Sequence, residues 1–260
     1  MIGNTNVDYK EPTLEIVTWG GGDEKQVTRM IEAHYKEKID IAEYWAVGDS
    51  RTVTISAIPR GTTGEAQSEQ SVDLVIIGMK HDDKADGSGK AAVTVQTKNK
   101  LGTAGYMNFK YSSPSYSLWS TSQRRTWCNS NFKAALPTWL QNLIKPVSKV
   151  SNRHAYTGYE TYRGQTNTTD DVFLLSEFET FGSAYVGGFD WGDVGSDGTQ
   201  YEYMKTQSNR VKSGPESFWW LRSSRVDNDG HSFFIIVGSD GLAYDRGTDG
   251  NLGLAPGFSI

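Results

Sequence analysis

The apolar residues of this chain are grouped in short runs that Gly-, Ser- and Asp-containing turns separate. No run approaches the roughly 18 consecutive apolar residues that a membrane-spanning helix needs. Short runs with β-branched residues or period-two alternation are typical of strands. The sequence therefore predicts strand segments at residues 14–17, 52–56, 72–79, 92–95, 147–150, 218–221 and 232–237.

The clearest helical pattern lies near the N-terminus, where Asp23 is a suitable N-cap for a helix over residues 24–38. The apolar residues of this segment recur at helical spacing, namely Val27, Met30, Ile31 and Tyr35. Pro137 suits the first turn of a second, shorter helix. Ser176 and Glu179 have the spacing of a capping box, which predicts a helical turn after them.

The remaining segments are predicted to be irregular or β-like. Residues 106–122 are rich in Ser, Tyr and Asn and indicate an irregular packed loop. Residues 151–171 are polar and aromatic without a period, which predicts a long surface loop. Separate helices among antiparallel-type strands indicate the α+β class. Because neither a repeat nor a linker divides the chain, we expect one domain over residues 1–260, with residues 1–22 as an N-terminal segment.

Charge and cysteine content exclude several classes of protein. Twenty-six Lys and Arg against 31 Asp and Glu give a net charge of −5, which argues against a nucleic-acid partner because phosphates need a basic face. We expect no membrane insertion, and residues 1–10 lack the pattern of a signal peptide. A single cysteine, Cys128, excludes an intrachain disulfide framework and a Cys-rich zinc site.

The candidate catalytic and metal-binding residues do not form a recognisable constellation. Cys128 and His154 are of the types that make a nucleophile and its base, but a buried, unreactive thiol is the favoured interpretation. Residues 227–230 resemble the start of a calcium loop without the closing Glu, so a turn is favoured there. We therefore predict no catalytic residue, no metal ligand and no cofactor.

The C-terminal 40 residues have an unusual composition. Residues 221–260 contain no Lys, Glu, Gln, Trp or Met, whereas residues 1–220 contain 50 residues of these five types. About nine would be expected in a segment of this length at that frequency. The absence of these five residue types from residues 221–260 therefore requires an explanation.

Two explanations are open. Randomising both adenines of an AAC or AAT codon never yields these five residues, because the third base stays a pyrimidine, but it does yield the types that fill this tail. A Gly- and Asp-rich β-tail that disfavours long charged side chains would give the same composition. Composition does not separate diversification of the tail from this structural cause.

Several motifs resemble one family. In the tail they are residues 218–223 (FWWLRS), 232–241 (SFFIIVGSDG) and 253–256 (GLAP), and earlier they are residues 16–22, 42–49, 124–129 and 171–176. Together and in this order they resemble DUF6273, a family of uncharacterised domains common in gut bacteria and their phages. The likeness covers nearly the whole chain. Ser224 departs from it, because the family often has Pro there.

The resemblance implies a C-type-lectin-like fold with small irregular antiparallel sheets, flanking helices and long loops. The members of the family resemble the variable proteins of diversity-generating retroelements and, more distantly, the formylglycine-generating enzymes. On this basis Trp219, Trp220 and Leu221 would anchor the core, and Arg222 would be a scaffold residue that satisfies loop carbonyls.

The resemblance also implies a ligand-binding region within residues 221–260, close to the C-terminus. Its positions are Arg225, Val226, Asp227, Asn228, Asp229, Gly230, His231, Phe233, Ile235, Gly238, Leu242, Tyr244, Asp245, Arg246, Thr248, Asp249, Asn251 and Leu252. Alternate side chains of a strand point to the same side. We therefore expect most of these residues to form one contiguous, solvent-exposed patch, the alternative being that the apolar ones are core residues.

The resemblance implies a binding protein rather than an enzyme. We expect a receptor-binding or adhesion module on a phage tail or a bacterial surface, with a host cell-surface protein or glycan as its ligand. A second copy of the chain or other tail proteins are further partners to consider. The alternatives are a structural tail or baseplate subunit and an enzyme. The related enzymes use two active-site cysteines, and this chain has one.

Overall fold

The computed structural model describes residues 13–61, 66–185 and 194–260. Ten strands form two five-stranded sheets, and the helices are short apart from the first. The strands are β1 (Ser50–Ile55), β2 (Gln70–Met79), β3 (Val93–Thr97), β4 (Val147–Ala155), β5 (Gly164–Asp170), β6 (Val172–Phe173), β7 (Trp219–Val226), β8 (Ser232–Val237), β9 (Ala243–Gly247) and β10 (Gly257–Ser259). This architecture confirms the α+β class with two small, mostly antiparallel sheets.

The first sheet has the order β1-β2-β3-β10-β6, and each of its neighbouring pairs is antiparallel. Strand β10 lies between β3 and β6, with Phe258 opposite Val95 on one side and Val172 on the other. Ile260 is fully buried and exchanges backbone hydrogen bonds with Val93. The C-terminal end of the sequence is therefore held in the interior of this sheet.

The second sheet has the order β5-β4-β7-β8-β9, and its β4–β7 pair is parallel. Every residue of β7 is buried, as expected for a strand with neighbours on both edges and packing on both faces. Strand β9 forms one edge of this sheet, and its burial alternates between half-buried and exposed residues. The C-terminal part of the chain thus presents its outer strand to solvent.

The helices begin where the capping residues predict. Helix α1 (Glu24–Tyr35) has a capping box of Asp23 and Gln26, and it ends three residues before the predicted end. Ser176 and Glu179 form the predicted capping box at the start of α5. The other α-helices are α2 (Gln123–Trp127), α3 (Lys133–Ala135), α4 (Thr138–Leu143), α5 (Glu177–Phe181) and α6 (Gln207–Arg210).

Short helical turns of other types complete the described secondary structure. A π-helical segment, Cys128–Phe132, joins α2 to α3. The 3₁₀ turns are Ile41–Glu43, Pro114–Tyr116, Trp119–Thr121, Glu160–Tyr162 and Glu202–Lys205. Within the described ranges, none of the helices has the length and apolar character that crossing a membrane requires.

A continuous cluster of buried apolar side chains extends through both sheets. Trp219, Trp220 and Leu221 are at most 1% exposed, which confirms their predicted role as core anchors. The two indole N–H groups are also satisfied, because Trp219 donates to the Arg210 carbonyl and Trp220 to that of Gly105. These large rings therefore combine apolar burial with a satisfied polar group.

The prediction of a long surface loop at residues 151–171 is wrong. Strand β4 continues to Ala155, and β5 pairs with it in antiparallel register from Gly164 to Asp170. Strand β5 is an edge strand composed of Gly, Gln, Thr, Asn and Asp, so it lacks the apolar alternation that signals a strand in sequence. Its pairing with β4, and not its composition, makes it a strand.

Candidate binding groove

The residues predicted to bind a ligand differ widely in exposure. Those exposed are Asn228, Asp229, Leu242, Tyr244, Arg246, Asp249 and Asn251, and those half-buried are Asp227, His231, Phe233 and Asp245. The others are buried, so the prediction of a solvent-exposed position is wrong for Arg225, Val226, Gly230, Ile235, Gly238, Thr248 and Leu252. Ile235 is buried because β8 is an inner strand whose two faces are both covered.

The register of β8 and β9 also divides these residues between two faces of the sheet. Ile235 is opposite Asp245, whereas Ile236 is opposite Tyr244. Side chains opposite each other share a face, and successive side chains point to opposite faces. Tyr244 and Arg246 therefore lie on the face opposite to Ile235 and Asp245, so the predicted residues do not all share one face of the sheet.

A groove with a cavity volume of about 400 Å³ lies where β9 meets the segments before β7 and after β9. Its lining residues are Glu216, Ser217, Phe218, Ile236, Tyr244, Asp245, Arg246, Asn251 and Leu252. Five of these nine belong to the predicted ligand-binding set. We call this cavity the C-terminal groove.

The sequence analysis missed four of the lining residues, namely Glu216, Ser217, Phe218 and Ile236. Three of them precede residue 221, where the unusual composition begins. Ile236 follows the predicted position Ile235 in the strand, so its side chain points to the opposite face of the sheet. The Phe218 ring could have been suspected, because it opens the Phe-Trp-Trp-Leu run. Nothing in the sequence marks Glu216 as a residue that shares a cavity with Tyr244.

Tyr244 is held in one orientation on the floor of the C-terminal groove. Its hydroxyl donates a 2.7 Å hydrogen bond to Asp240 Oδ2, and this contact raises the pKa of the phenol. Its ring meets Phe218 edge to face, with centroids 5.8 Å apart. A Cβ atom at Gly238 would lie 2.7 Å from the Tyr244 ring, so the ring can occupy this position only because residue 238 has no side chain. With 39% of its surface exposed, Tyr244 offers ring area to a ligand.

The polar residues of the C-terminal groove fall into two kinds. Asp245 is held by Arg225, whose Nη2 donates to Asp245 Oδ1 at 2.7 Å and whose guanidinium lies 4.1 Å from the Phe233 centroid. By contrast, within the described residues no hydrogen bond or ion pair uses the side chains of Arg246, Glu216 or Asn251. These three polar groups can therefore be used by a ligand.

The turn after β7 contains a separate group of metal-ligating residue types. Side-chain atoms of Asp227, Asp229 and His231 lie within 4.8 Å of one another. Asp227 Oδ1 accepts hydrogen bonds from the backbone N–H groups of Asp229 and His231, and Gly230 N–H donates to the Asp227 carbonyl. The predicted turn is confirmed, and the Asp227 carboxylate stabilises it.

A different cluster of charges lies in the interior between the two sheets. Lys149 donates to Asp82 at 2.6 Å, to Glu179 at 2.9 Å and to the Tyr201 hydroxyl at 3.0 Å, and Arg222 donates to both carboxylate oxygens of Glu179. All five side chains are at least nine-tenths buried. We call this cluster the buried brace.

Opposite charges set the protonation states of the buried brace. Burial raises the pKa of Asp82, but Lys149 and His81 outweigh it and hold this pKa well below its ordinary value. In Glu179, burial is likewise outweighed by Arg222 and Lys149, so its pKa is lowered. Burial and the Asp82 charge raise the pKa of Tyr201 well above its ordinary value. The brace therefore contains two carboxylates and two cations.

Arg222 has the predicted scaffold role. It donates to the backbone carbonyls of Val150, Leu174 and Asp197 as well as to Glu179. The brace borders a cleft of about 170 Å³, but its charged groups are already satisfied by one another. Such a cluster stabilises the relative position of the two sheets.

Cys128 is fully buried, and burial raises the pKa of its thiol to about 12. The interpretation of this residue as a buried thiol is confirmed. The His154 imidazole forms a 2.5 Å hydrogen bond with the Glu177 carboxylate. The geometry gives no support to a Cys128–His154 nucleophile pair.

In the described part of the chain, the fold and the groove together define an α+β protein with a partly apolar cavity beside the edge strand β9. Residues 94–260 match the family model described as Domain of unknown function (DUF6273). This match covers more than half of the chain, and the chain therefore belongs to the DUF6273 family. No curated protein and no solved structure matches the chain.

Proposed function

We propose that this chain is a ligand-binding protein of C-type-lectin-like fold whose C-terminal groove attaches a phage tail or a bacterial surface to a host cell. The groove carries the proposal, because it combines exposed aromatic area with polar side chains that have no partner within the described residues. Binding sites of this kind contain a few placed polar groups on a largely apolar lining.

The distribution of exposed apolar side chains supports the same proposal. Seven large apolar residues are exposed in the described part of the chain. Leu242 and Tyr244 lie in the tail and Tyr111 and Val211 lie next to it, whereas Ile16, Tyr44 and Phe109 do not belong to this group. Tyr111 contacts the ring of His231, and Val211 lies against Gly241. Aromatic and aliphatic residues grouped on one side of a protein are typical of binding surfaces.

Binding to intact cells tests the proposal. Fluorescently labelled protein is incubated with a panel of gut bacterial strains, and the bound fraction is measured by flow cytometry for the wild type and for Tyr244→Ala. We expect binding to a subset of strains that Tyr244→Ala abolishes. The matched control is Tyr44→Ala, because Tyr44 is 38% exposed and lies outside the groove. Equal cell binding by Tyr244→Ala and Tyr44→Ala would contradict the proposal that the groove binds the host cell.

The diversification of the tail has its own test. A reverse-transcriptase gene and an adenine-rich near-copy of the codons for residues 221–260 in the neighbouring DNA would support it. In that case Arg246 and Asn251 would differ among sister copies, while Trp220 and Arg222 would stay constant. Without such a near-copy, the composition of the tail is explained by its β-structure.

A further inference from the structure

We infer that the C-terminal groove binds a neutral saccharide through direct contacts. This inference rests on the proposed function and names the chemical class of its ligand. Four properties of the groove support it: the balance of its charges, its apolar and aromatic floor, its size, and its distance from the turn that contains Asp227, Asp229 and His231. We call this turn the acidic turn.

The charges that line the groove compensate one another. Asp245 is neutralised by its 2.7 Å contact with Arg225. Within the described residues the Glu216 carboxylate has no ion pair, but it interacts electrostatically with the buried Lys100, and the Arg246 guanidinium has no hydrogen bond or ion pair. A strongly anionic ligand would meet the Glu216 charge, and a cationic ligand would meet that of Arg246. A neutral ligand with both hydrogen-bond donors and acceptors satisfies both groups, and the Asn251 amide adds a further donor and acceptor.

The floor of the groove is apolar and aromatic. Tyr244, Phe218, Ile236 and Leu252 contribute to it, and Asp240 already uses the Tyr244 hydroxyl. The tyrosine therefore offers its ring to the ligand. A pyranose has a C–H face that packs on an aromatic ring and a rim of hydroxyl groups that bond to polar side chains, and this groove has the complementary arrangement.

The size of the groove favours a small ligand. A volume of about 400 Å³ lies near the lower end of the about 300–1,000 Å³ that small-molecule sites occupy. A stable protein–protein contact uses about 800 Å² of surface on each partner, which exceeds a cavity lined by nine residues. We therefore assign one or two sugar rings to the groove.

The acidic turn lies apart from the Tyr244 end of the groove, while the Arg246 end, opposite Phe234, is nearer to it. His231 precedes β8, whereas Ile236 in the groove lies near its end, and five residues of strand span about 17 Å. The carboxylates of Asp227 and Asp229 therefore cannot contact a sugar on Tyr244. Direct contacts with protein side chains account for binding, so a chelator leaves it unchanged.

The test uses the full-length chain and an immobilised panel of neutral hexose and N-acetylhexosamine oligosaccharides, with uronic-acid oligosaccharides and unstructured peptides for comparison. Weak binding is detected by saturation-transfer NMR with the same neutral saccharides at millimolar concentration. We expect at least one neutral saccharide to bind, with a loss of about tenfold or more in Tyr244→Ala and in Arg246→Ala. Tyr44→Ala and Arg29→Ala, at exposed sites outside the groove, retain wild-type binding, and so does the wild type in EDTA.

Four outcomes would overturn the inference: binding of uronic-acid saccharides or peptides alone, loss of saccharide binding in EDTA, equal binding by the groove and control variants, or binding to no neutral saccharide. The cell assay separates this failure from that of the proposed function. Where wild-type protein binds cells through Tyr244 and no neutral saccharide competes, the groove has another class of ligand. Where cell binding does not depend on Tyr244, the proposed function fails as well.

Discussion

The buried brace and the C-terminal groove contain similar residue types in opposite environments. Lys149 and Arg222 are at most 2% exposed and hydrogen-bond to carboxylates and carbonyls, whereas Arg246 is exposed and has no such partner within the described residues. Removing a buried, partnered charge leaves its partners unsatisfied, while removing an exposed one does not. Hydrogen-bond partners, and not residue type, therefore distinguish the charges of the buried brace from those of the C-terminal groove.

The largest effect is expected from Arg222→Ala in the buried brace. This change removes the Arg222 hydrogen bonds to the Glu179 carboxylate and to three backbone carbonyls, and it leaves Lys149 as the remaining cation beside Glu179. We expect the free energy of unfolding to fall by about 3–5 kcal/mol, as measured by urea denaturation. Arg246→Ala is the matched control and should change it by less than about 0.5 kcal/mol. Equal effects of the two changes would remove the distinction between the regions.

A second prediction concerns a buried lysine that has no carboxylate partner among the described residues. Lys212 is 4% exposed and donates to the carbonyls of Thr97 and Lys98. Burial, with a smaller contribution from Lys100, lowers its pKa from 10.5 to about 7. Between these two values the unfolded chain binds the proton and the folded chain does not, so stability rises with pH.

The expected rise is up to about 1.4 kcal/mol per pH unit. It is measured by urea denaturation between pH 7 and pH 9, because above pH 9 the Cys128 thiol, with its pKa raised to about 12, has the opposite effect. Lys212→Met should remove most of the slope and leave the part that arises from Lys100, whose pKa burial also lowers. A slope that Lys212→Met leaves intact would show that Lys212 is charged in the folded protein.

A smaller effect is expected from Cys128→Ser, which places a hydroxyl in a fully buried site. Burying a hydroxyl without a good partner costs about 1–3 kcal/mol in proteins. We expect a loss of stability in this range, measured by urea denaturation, with cell binding unchanged. Loss of all function in a variant with an unchanged circular dichroism spectrum would instead indicate thiol chemistry.

The smallest effect on stability is expected at two exposed residues of the groove and at Asp249 in the turn between them. Replacing Arg246, Asp249 and Asn251 together by Ser should change the free energy of unfolding by no more than about 0.5 kcal/mol per site, because all three side chains are exposed. The same variant should differ from the wild type in the strains that it binds. Cooperative unfolding of this variant at a clearly lower urea concentration would assign these residues to the scaffold and not to the binding site.

Residues with local or strongly apolar signals could be predicted from the sequence. The capping boxes at Asp23 and Ser176 depend on side chains three residues apart, so the sequence contains both partners. The Trp219–Leu221 run is too apolar to lie at the surface, and it is buried. The tail of unusual composition contributes Tyr244, Arg246 and Asn251 to the lining of the groove.

The tertiary structure decided the parts that depend on distant partners. The alternation along residues 233–237 indicates which side chains share a face, but only the pairing of Ile236 with Tyr244 shows which face lines the groove. Strand β5 became a strand because β4 pairs with it. Lys149 meets Asp82 across 67 residues of sequence, and no local pattern encodes that contact. Local preferences thus determined the short elements, while long-range packing determined which charges are neutralised in the interior and which are exposed at the surface.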